Sequence, residues 1–327
     1  MIFSSPPPQF GQCCMSMSNT RLSSRAQLMR AGWPCAQPGS VAVRLFAKTH
    51  TFIALAYLAL VFHTVALLRF DTWPQPLGIV TGLLLAAGCV SAVLVLSRQA
   101  GKWRRVEGRI TMQQHYPDMK ILETEIELKQ GWQGHKSGQF AFVTFDPKEG
   151  PHPFTIASAW DARNPRIMFI TKALGDYTDF LPERSKVGNT VMVEGPYGSF
   201  TFDDTARRQI WIGGGIGITP FFARMKQLAH TPGSQAIDLF HSTTELAPDA
   251  LKKLTADAAA ANVHLHVLID GRDGRLTGEK LRSMVPDWQS ASVWFCGPAG
   301  FGAALSGDLL GNGLNRHAFH QELFNMR

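Results

Sequence analysis

The sequence predicts a multidomain protein in which a two-helix membrane segment is followed by an antiparallel β-barrel and then by an α/β domain with a parallel sheet. Two uncharged apolar segments, 51–68 and 77–96, are each long enough to cross a bilayer. Short β-branched or alternating runs, separated by Gly, Pro and Asp, fill residues 103–205 and are typical of a small barrel. Strand-like and helix-like runs alternate from 206 to 327, which predicts parallel strands joined by crossover helices.

Positive charge is concentrated in the N-terminal third of the chain. Residues 1–105 contain ten Lys and Arg and one acidic residue, a net charge of +9, so the remaining 222 residues carry −2 of the overall +7. Basic residues precede the first apolar segment and follow the second, which predicts a multi-pass protein of the inner (cytoplasmic) membrane with its catalytic domains in the cytosol. Membrane lipid is therefore an expected partner of this region and nucleic acid is not. A buried helical hairpin of a soluble protein is the alternative.

The domain boundaries follow from composition and pattern. Residues 1–43 are rich in Ser, Pro, Gln and Arg and are predicted to be disordered, and 44–98 form the helical hairpin. The five cysteines lack the spacing of a zinc or iron–sulfur site, which favours free thiols in a reducing compartment. The predicted strands are 120–128, 139–145, 167–172 and 190–193 in the barrel, with one helix near 177–184, and 209–212, 236–240, 263–269 and 292–295 in the α/β domain. The predicted helices of the α/β domain are 221–229, 248–261, 277–284 and 301–310.

A short motif in the barrel region carries the first chemical signal. It reads His152-Pro153-Phe154-Thr155, and Ser158 follows three residues later. The motif supplies a cation or donor, a rigid entry, a flat apolar ring and two hydroxyls. A flavin requires such a set, because its ring needs an aromatic surface and donors at N5 and O4, and its phosphates need positive charge. An ordinary strand end is the alternative.

The sequence at 152–155 resembles the flavin signature of the ferric reductase and NADPH oxidase branch of the ferredoxin–NADP reductase superfamily. The resemblance covers roughly residues 45–327. It implies FAD in the barrel and NADPH or NADH in the α/β domain. Six membrane helices are usual in that branch, whereas this sequence has two apolar segments. A second stretch, with Gly175, Tyr177 and Thr178, resembles the segment that meets the flavin pyrophosphate in the family. The turn 194–198 resembles the family's turn at the domain junction.

A glycine-rich turn predicts where the dinucleotide binds. Gly213, Gly214, Gly215 and Gly217 follow an apolar strand and precede a helix. Glycines allow close approach of a pyrophosphate, and the helix N-terminus offers free amides. Thr219 is predicted as the N-cap of that helix and Pro220 as its first residue. A purely structural turn is the alternative.

Cys296 and Gly297 end the last predicted strand, at the edge of the sheet where ligands bind in α/β proteins. The resemblance implies that Cys296 faces the nicotinamide, so we expect Thr155 and Cys296 to be the catalytic residues. Ser242 follows the second strand and is expected near the ribose, where the sequence offers neither an arginine nor a strand-end acid to choose between NADPH and NADH. Phe324 is expected either at the flavin, as in related reductases, or packed against a helix.

Haem b is a further hypothesis. His50 and His63 flank the first apolar segment and lie about 20 Å apart along a helix axis, a spacing that suits one iron near each leaflet. The second segment has no histidine, so two haems with two histidines each would need a partner subunit.

The sequence thus predicts a membrane-anchored NAD(P)H-dependent FAD oxidoreductase that passes electrons to haem, ferric iron or another acceptor. Two alternatives remain open at this point. One is an NAD(P)H-flavin reductase that serves a soluble carrier protein, and the other is a non-catalytic membrane adaptor.

Overall fold

A computed structural model describes residues 41–69, 71, 73–97, 102–173, 176–245 and 247–324. They fall into two compact units, one before and one after the boundary between Arg105 and Val106. The predicted disordered segment 1–43 lies outside the described residues except for 41–43, which already belong to the first helix.

The first unit is a pair of helices, α1 (Val41–Leu67) and α2 (Pro76–Leu96). The stretch Lys48–Leu67 and the whole of α2 have mean hydropathies of 1.8 and 2.5, and only 6% of each is buried. Both are long and apolar enough to cross a membrane, by length and composition. The helices meet where Tyr57 donates a hydrogen bond to the carbonyl of Leu85 at 3.3 Å. Gly88 faces the Tyr57 ring, and a Cβ there would overlap the hydroxyl.

The second unit begins with a barrel of six antiparallel strands in the order β4-β3-β6-β1-β2-β5. The strands are β1 (Arg105–Tyr116), β2 (Ile121–Leu128), β3 (Phe140–Thr144), β4 (His152–Thr155), β5 (Arg166–Lys172) and β6 (Thr190–Tyr197). A bridge between Ile156 and Phe169 joins the two outer strands and closes the barrel. Two short helices, α3 (Asp176–Asp179) and α4 (Leu181–Arg184), stand where the sequence predicts one helix.

Alternating burial along β1 and β2 explains why these residues form a barrel, since every second side chain enters the core. Ile110, Ile126, Val143 and Phe169 are at most 1% exposed there. Strands β1 and β4 are additions to the predicted strands. The segment 194–198, expected to be a turn, instead continues β6 as far as Tyr197.

The α/β domain is a five-stranded parallel sheet in the order β11-β10-β7-β8-β9. Its strands are β7 (Arg208–Gly214), β8 (Ala236–Thr243), β9 (His264–Ile269), β10 (Ser292–Pro298) and β11 (Phe319–Phe324). Its helices are α5 (Thr219–His230), α6 (Pro248–Ala260), α7 (Asp270–Asp273), α8 (Gly278–Met284) and α9 (Ala299–Gly311). The predicted strands and helices are confirmed in kind. Strand β11 and the short helix α7 are additions that the sequence analysis does not predict.

The barrel and the α/β domain are held together by buried aromatics and by polar links. Phe200 and Phe202, which follow the barrel, pack in one core cluster with Trp211 and Trp294 of the sheet. Asp204 accepts hydrogen bonds from the Ser292 hydroxyl at 2.6 Å and from the Trp294 indole at 3.0 Å. The segment that connects the barrel to the α/β domain is thus part of the core of the α/β domain.

Candidate functional site

Strand β4 places the His-Pro-Phe-Thr motif on the barrel wall beside β3. Thr155 pairs with Phe140 and is half-buried, and among the described residues its hydroxyl has no hydrogen-bond partner. Phe154 is also half-buried, and its ring meets those of Phe145 and Phe169 edge to face at 6.0 and 6.1 Å. The motif therefore presents an unpaired hydroxyl next to a fixed aromatic ring.

His152 corrects one expectation. Its side chain is buried, and burial lowers the pKa of His152 to about 4, although Glu149 nearby partly opposes the shift. The imidazole is neutral at pH 7. It can donate or accept a hydrogen bond, but it does not supply the positive charge that the motif suggested.

The second predicted flavin stretch converges on the same rim of the barrel. Strands β4 and β5 run antiparallel from the Ile156–Phe169 bridge, so the His152 end of β4 and the segment after β5 point the same way. Thr178 lines a cavity of about 300 Å³ there, together with His115, Lys120 and Thr171. Gly175 and the side chain of Tyr177 lie outside the described residues.

Ser158 has a structural partner as well as its predicted role. Its hydroxyl oxygen accepts a hydrogen bond from the Met168 amide at 3.0 Å, and its carbonyl oxygen lies 3.0 Å from His135 Nε2. These contacts stabilise the place where β5 meets the residues after β4 and the barrel closes. The hydroxyl keeps its proton to donate, so a contact with the flavin remains compatible with the structure and is still a prediction.

The glycine-rich turn leaves β7 as one 3₁₀ turn, Gly215–Ile218, and enters α5. A Cβ at Gly217 would lie 2.1 Å from the carbonyl oxygen of Cys296, and one at Gly214 would lie 2.9 Å from Pro298 Cδ. Gly215 has a φ of 56°, in the left-handed region that favours glycine. The glycines are thus required for the turn to press against the end of β10, which is also what a dinucleotide-binding turn needs.

The start of α5 differs from the prediction. Thr219 is the first helical residue, Pro220 is the second, and Ile218 occupies the N-cap position without a side-chain cap. The Thr219 hydroxyl donates to the carbonyl of Ile216 at 2.7 Å and tightens the turn. Thr219 is buried, so its contribution to a dinucleotide site is the shape of the turn.

Cys296 lies where the sequence placed it, at the end of β10. It pairs with Gly213 of β7 on one side and with Glu322 of β11 on the other. Burial, with a contribution from the charge of Glu322, raises the pKa of the Cys296 thiol well above its ordinary value. The thiol is therefore protonated at pH 7. Gly297 follows, and a Cβ there would lie 3.2 Å from the backbone of Gly214.

Glu322 is the site residue that the sequence reasoning missed. It is 4% exposed, and its Oε2 atom has no hydrogen-bond partner among the described residues. Burial raises the pKa of Glu322 to about 8, so the carboxyl group is mostly protonated at pH 7. This buried polar atom without a partner leaves one hydrogen-bonding position open beside the cysteine, near the strand ends. Phe324 ends the same strand, in register with Pro298, and its side chain lies outside the described residues.

The surroundings of Ser242 differ from the prediction, because they contain an acidic residue. Ser242 is buried near the end of β8, and its hydroxyl lies 3.5 Å from Asp270 Oδ1. Asp270 comes from the helix after β9 and is paired with Arg275 at 3.3 Å. An acid is therefore present next to Ser242, although it follows a different strand from the one inspected. Next to Ser242, His241 contacts the Gly213 carbonyl at 3.3 Å, and burial lowers the pKa of His241 to about 4.

The predicted haem ligands lie on α1 with exposed side chains. Thirteen residues of a regular helix turn by about 220°, so His50 and His63 do not share one face. No other histidine occurs between residues 36 and 105. Two haems held by two histidines each would thus need ligands from outside the helical unit, and haem binding stays a prediction.

The residues of the second unit fit FAD and a nicotinamide dinucleotide. The barrel offers a hydroxyl that is unpaired among the described residues, an aromatic ring and a cavity with a basic side chain. The α/β domain offers a buried carboxyl group with an unsatisfied oxygen beside the glycine turn. The turn Gly215–Ile218 contacts both β5 of the barrel and β10 of the sheet. The two regions therefore meet within one compact unit.

Comparison with known proteins agrees with this geometry. A protein family described as an FAD-binding domain matches residues 110–201. A flavohemoprotein of Oceanobacillus iheyensis is 24% identical over 162 residues, which are 46% of this chain and 40% of that protein. The anthranilate 1,2-dioxygenase electron transfer component of Acinetobacter baylyi is 26% identical over 172 residues, which are 49% of this chain and 50% of that protein.

The fold is shared with solved structures. The flavohem-like FAD/NAD-binding domain of a nitric oxide dioxygenase from Vibrio cholerae superposes with a TM-score of 0.57 at 19% identity, over 68% of this chain and 98% of that one. The chain spans about half the length of the curated relatives it matches. The FAD-binding match covers the barrel, and the relatives and the two-domain fold show that the chain is similar to FAD-binding oxidoreductases of the ferredoxin–NADP reductase-like superfamily.

Proposed function

We propose that the chain is a membrane-anchored reductase that oxidises NADH or NADPH and passes the electrons through FAD to haem, ferric iron or another acceptor. The Gly215–Ile218 turn gives the strongest support, because it contacts β5 of the barrel and β10, the strand that carries Cys296. A dinucleotide on this turn would have its nicotinamide end near the barrel. That is the arrangement that hydride transfer between two bound rings requires.

The barrel residues would bind and orient the flavin. The Thr155 hydroxyl is free among the described residues to donate a hydrogen bond to the ring, and Phe154 is held in place by two aromatic neighbours. Thr178 and Lys120, on the wall of the 300 Å³ cavity, would meet the phosphates. When bound, FAD accepts a hydride and releases electrons one at a time.

The α/β residues would place the nicotinamide. Cys296 and Glu322 are both buried and both carry a proton at pH 7, so this end of the sheet is polar and uncharged. A neutral wall suits a ring that gains positive charge on losing a hydride, because no fixed cation opposes that charge. The protonated Glu322 carboxyl group would donate a hydrogen bond to the nicotinamide amide, and the Cys296 thiol would fix the ring position.

The helical unit would anchor the protein in the membrane. The support is the length and hydropathy of α1 and α2 together with their exposed apolar side chains, such as Phe62 at 76% and Leu77 at 74%. Basic residues flank the hairpin on both outer ends. They favour a topology with both ends of the hairpin in the cytosol.

A reductase that serves a soluble carrier protein is the second candidate. It is favoured by the similarity over half of its length to a relative named an electron transfer component. In that case the two helices act as an anchor, and the acceptor binds at the reductase unit. The ferric reductase and NADPH oxidase branch is the finer assignment that the motif His152–Thr155 supports.

One experiment tests the proposal. The full chain is purified in detergent, and its absorption spectrum, its FAD content and its NADH- and NADPH-dependent reduction of ferricyanide are measured. We expect about one FAD per chain and reduction of ferricyanide by at least one nucleotide. A colourless protein without activity after reconstitution with FAD would support the non-catalytic adaptor instead.

A further inference from the structure

Two histidines and an aspartate meet on one face of the parallel sheet, away from the predicted flavin and nicotinamide residues. Asp238 lies on β8, and His264 and His266 lie on the neighbouring outer strand β9. Asp238 and His264 are directly opposite each other in the register of the two strands. His264 Nδ1 is 3.1 Å from Asp238 Oδ1, and His266 Nε2 is 3.3 Å from the same oxygen.

We propose that Asp238, His264 and His266 form a binding site for a divalent transition-metal ion of the zinc class. Their three ligand atoms all lie within 4.8 Å of one another. Zinc binds nitrogen and oxygen ligands at about 2.0–2.1 Å in tetrahedral geometry, so neighbouring ligand atoms are about 3.3 Å apart. The two oxygen–nitrogen distances of 3.1 and 3.3 Å already match that edge of the tetrahedron. Small side-chain rotations would complete the set.

The surroundings of the cluster hold two of the ligands in place. Arg208 is paired with the other oxygen of Asp238, Oδ2, so Oδ1 is the atom left for a metal. The imidazole of His266 is stacked on Phe240, with ring centroids 4.4 Å apart and an angle of 15°. Contacts of this kind orient metal ligands and commonly change metal affinity by about 10- to 100-fold.

Burial indicates which coordination position stays open. The side chains of Asp238 and His266 are 7% and 12% exposed, whereas that of His264 is 74% exposed. The metal would therefore lie at the protein surface with the buried Asp238 and the half-buried His266 beneath it and His264 closing over it. A water molecule or an exogenous anion would take the fourth position. Nitrogen ligands select zinc, nickel or copper and disfavour magnesium and calcium, which prefer oxygen.

The consequence of binding would be mechanical. Strand β9 is one of the two outer strands of the sheet. A metal bound to residues of both β8 and β9 would hold β9 to the sheet in addition to the backbone hydrogen bonds. Asp238 precedes His241, which pairs with Gly213 of the dinucleotide turn, by three residues, or about 10 Å along the strand. The metal would thus stabilise the domain from outside the pocket without taking part in hydride transfer.

The test uses the full chain purified in detergent through a tag that contains no histidine and then stripped with EDTA. Zn²⁺ is titrated by calorimetry and its effect on thermal unfolding is measured, with Mg²⁺ as the comparison ion. We expect one Zn²⁺ per chain and a rise in melting temperature of about 5 °C at saturation. Co²⁺ in place of Zn²⁺ should give the intense visible absorption of a tetrahedral nitrogen–oxygen site.

Three histidine variants make the result specific. His264→Gln and His266→Gln should each weaken Zn²⁺ binding at least tenfold, whereas His317→Gln, at an exposed histidine outside the sheet, should not. Because His264 is exposed, its variant tests the site even if the variant of the half-buried His266 misfolds and loses its FAD. No stoichiometric Zn²⁺, or equal binding by the wild type, His264→Gln and His266→Gln, would overturn the proposal. Ferricyanide reduction by the metal-free wild type should be unchanged, which separates this test from that of the reductase function.

Discussion

Replacement of Glu322 by glutamine tests the protonated state of the carboxyl group beside Cys296. The folded-state pKa of about 8 lies above the value of about 4.3 in an unfolded chain. The unfolded chain therefore loses the proton first as the pH rises. Burial of Glu322 therefore costs the folded wild type least below pH 4. Between pH 4 and pH 8 the contribution of Glu322 to the free energy of unfolding falls steadily.

The magnitude follows from the two pKa values. Each pH unit in that window costs about 1.4 kcal/mol, so the wild type should lose roughly 2–3 kcal/mol between pH 5 and pH 7 from this group alone. For a unit of about 220 residues this is a fall in melting temperature of about 5–10 °C. The amide of the Glu322→Gln variant cannot ionise, so the variant should lack this part of the pH dependence.

The assay compares melting temperatures of the two full-length proteins at pH 5, 6, 7 and 8, with equal FAD content. The buried His152 and His241 also make stability depend on pH, but they are present in both proteins and cancel in the difference. Glu279→Gln, at an exposed glutamate in α8, is the matched control and should follow the wild type. If Glu322→Gln and the wild type lose the same stability between pH 5 and pH 8, the carboxyl group is already ionised in the folded protein and the reasoning is wrong.

Four further outcomes are expected. Thr155→Ala should slow single-turnover flavin reduction roughly 10- to 100-fold by removing one donor, and an unchanged rate would remove Thr155 from the site. Cys296→Ala should lower kcat with little change in KM for the nucleotide, with Cys89→Ala of α2 as the control; a raised KM at constant kcat would contradict an orienting role. Asp270→Ala should lower about tenfold the kcat/KM for NADH relative to that for NADPH. The reason is that Asp270, next to Ser242, would accept a hydrogen bond from a ribose hydroxyl and repel a 2′-phosphate. The same ratio in the variant and the wild type would exclude Asp270 from nucleotide choice. The chain expressed alone with haem supplied should show flavin bands in its oxidised state, and after reduction with dithionite it should show no low-spin b-type haem spectrum; two haems per monomeric chain would refute the need for a partner.

The class and order of the domains could be predicted from the sequence because the information is local. Alternating burial in β2 and the repeated strand-then-helix pattern after residue 206 can be read within ten residues. Strand β11 was missed because its sequence, Phe-His-Gln-Glu-Leu-Phe, is half polar and does not look like a buried parallel strand. The edge position of β11, next to β10, leaves His320 and Gln321 half-buried, whereas Glu322 of the same strand is buried.

The candidate site shows the same limit at the level of single residues. Glycines of the turn and Cys296 could be found because their meaning depends on neighbours in the sequence. Glu322 gains its meaning only from pairing with Cys296, 26 residues earlier, and Asp270 only from reaching Ser242, 28 residues earlier. Such pairs depend on strand register, and nothing in the local sequence specifies it.

The two buried acids of the sheet show how register determines charge. Burial raises the pKa of both groups, but Asp238 receives hydrogen bonds from His266, His264 and Arg208, and the net effect lowers the pKa of Asp238. Among the described residues Glu322 has no such donor at Oε2, so burial prevails and raises its pKa to about 8. The charged carboxylate therefore lies beside the outer strand β9, where a cation can use it. The neutral carboxyl group lies at the strand ends by Cys296, where a negative charge would change the reactivity of the thiol and of any ring bound beside it.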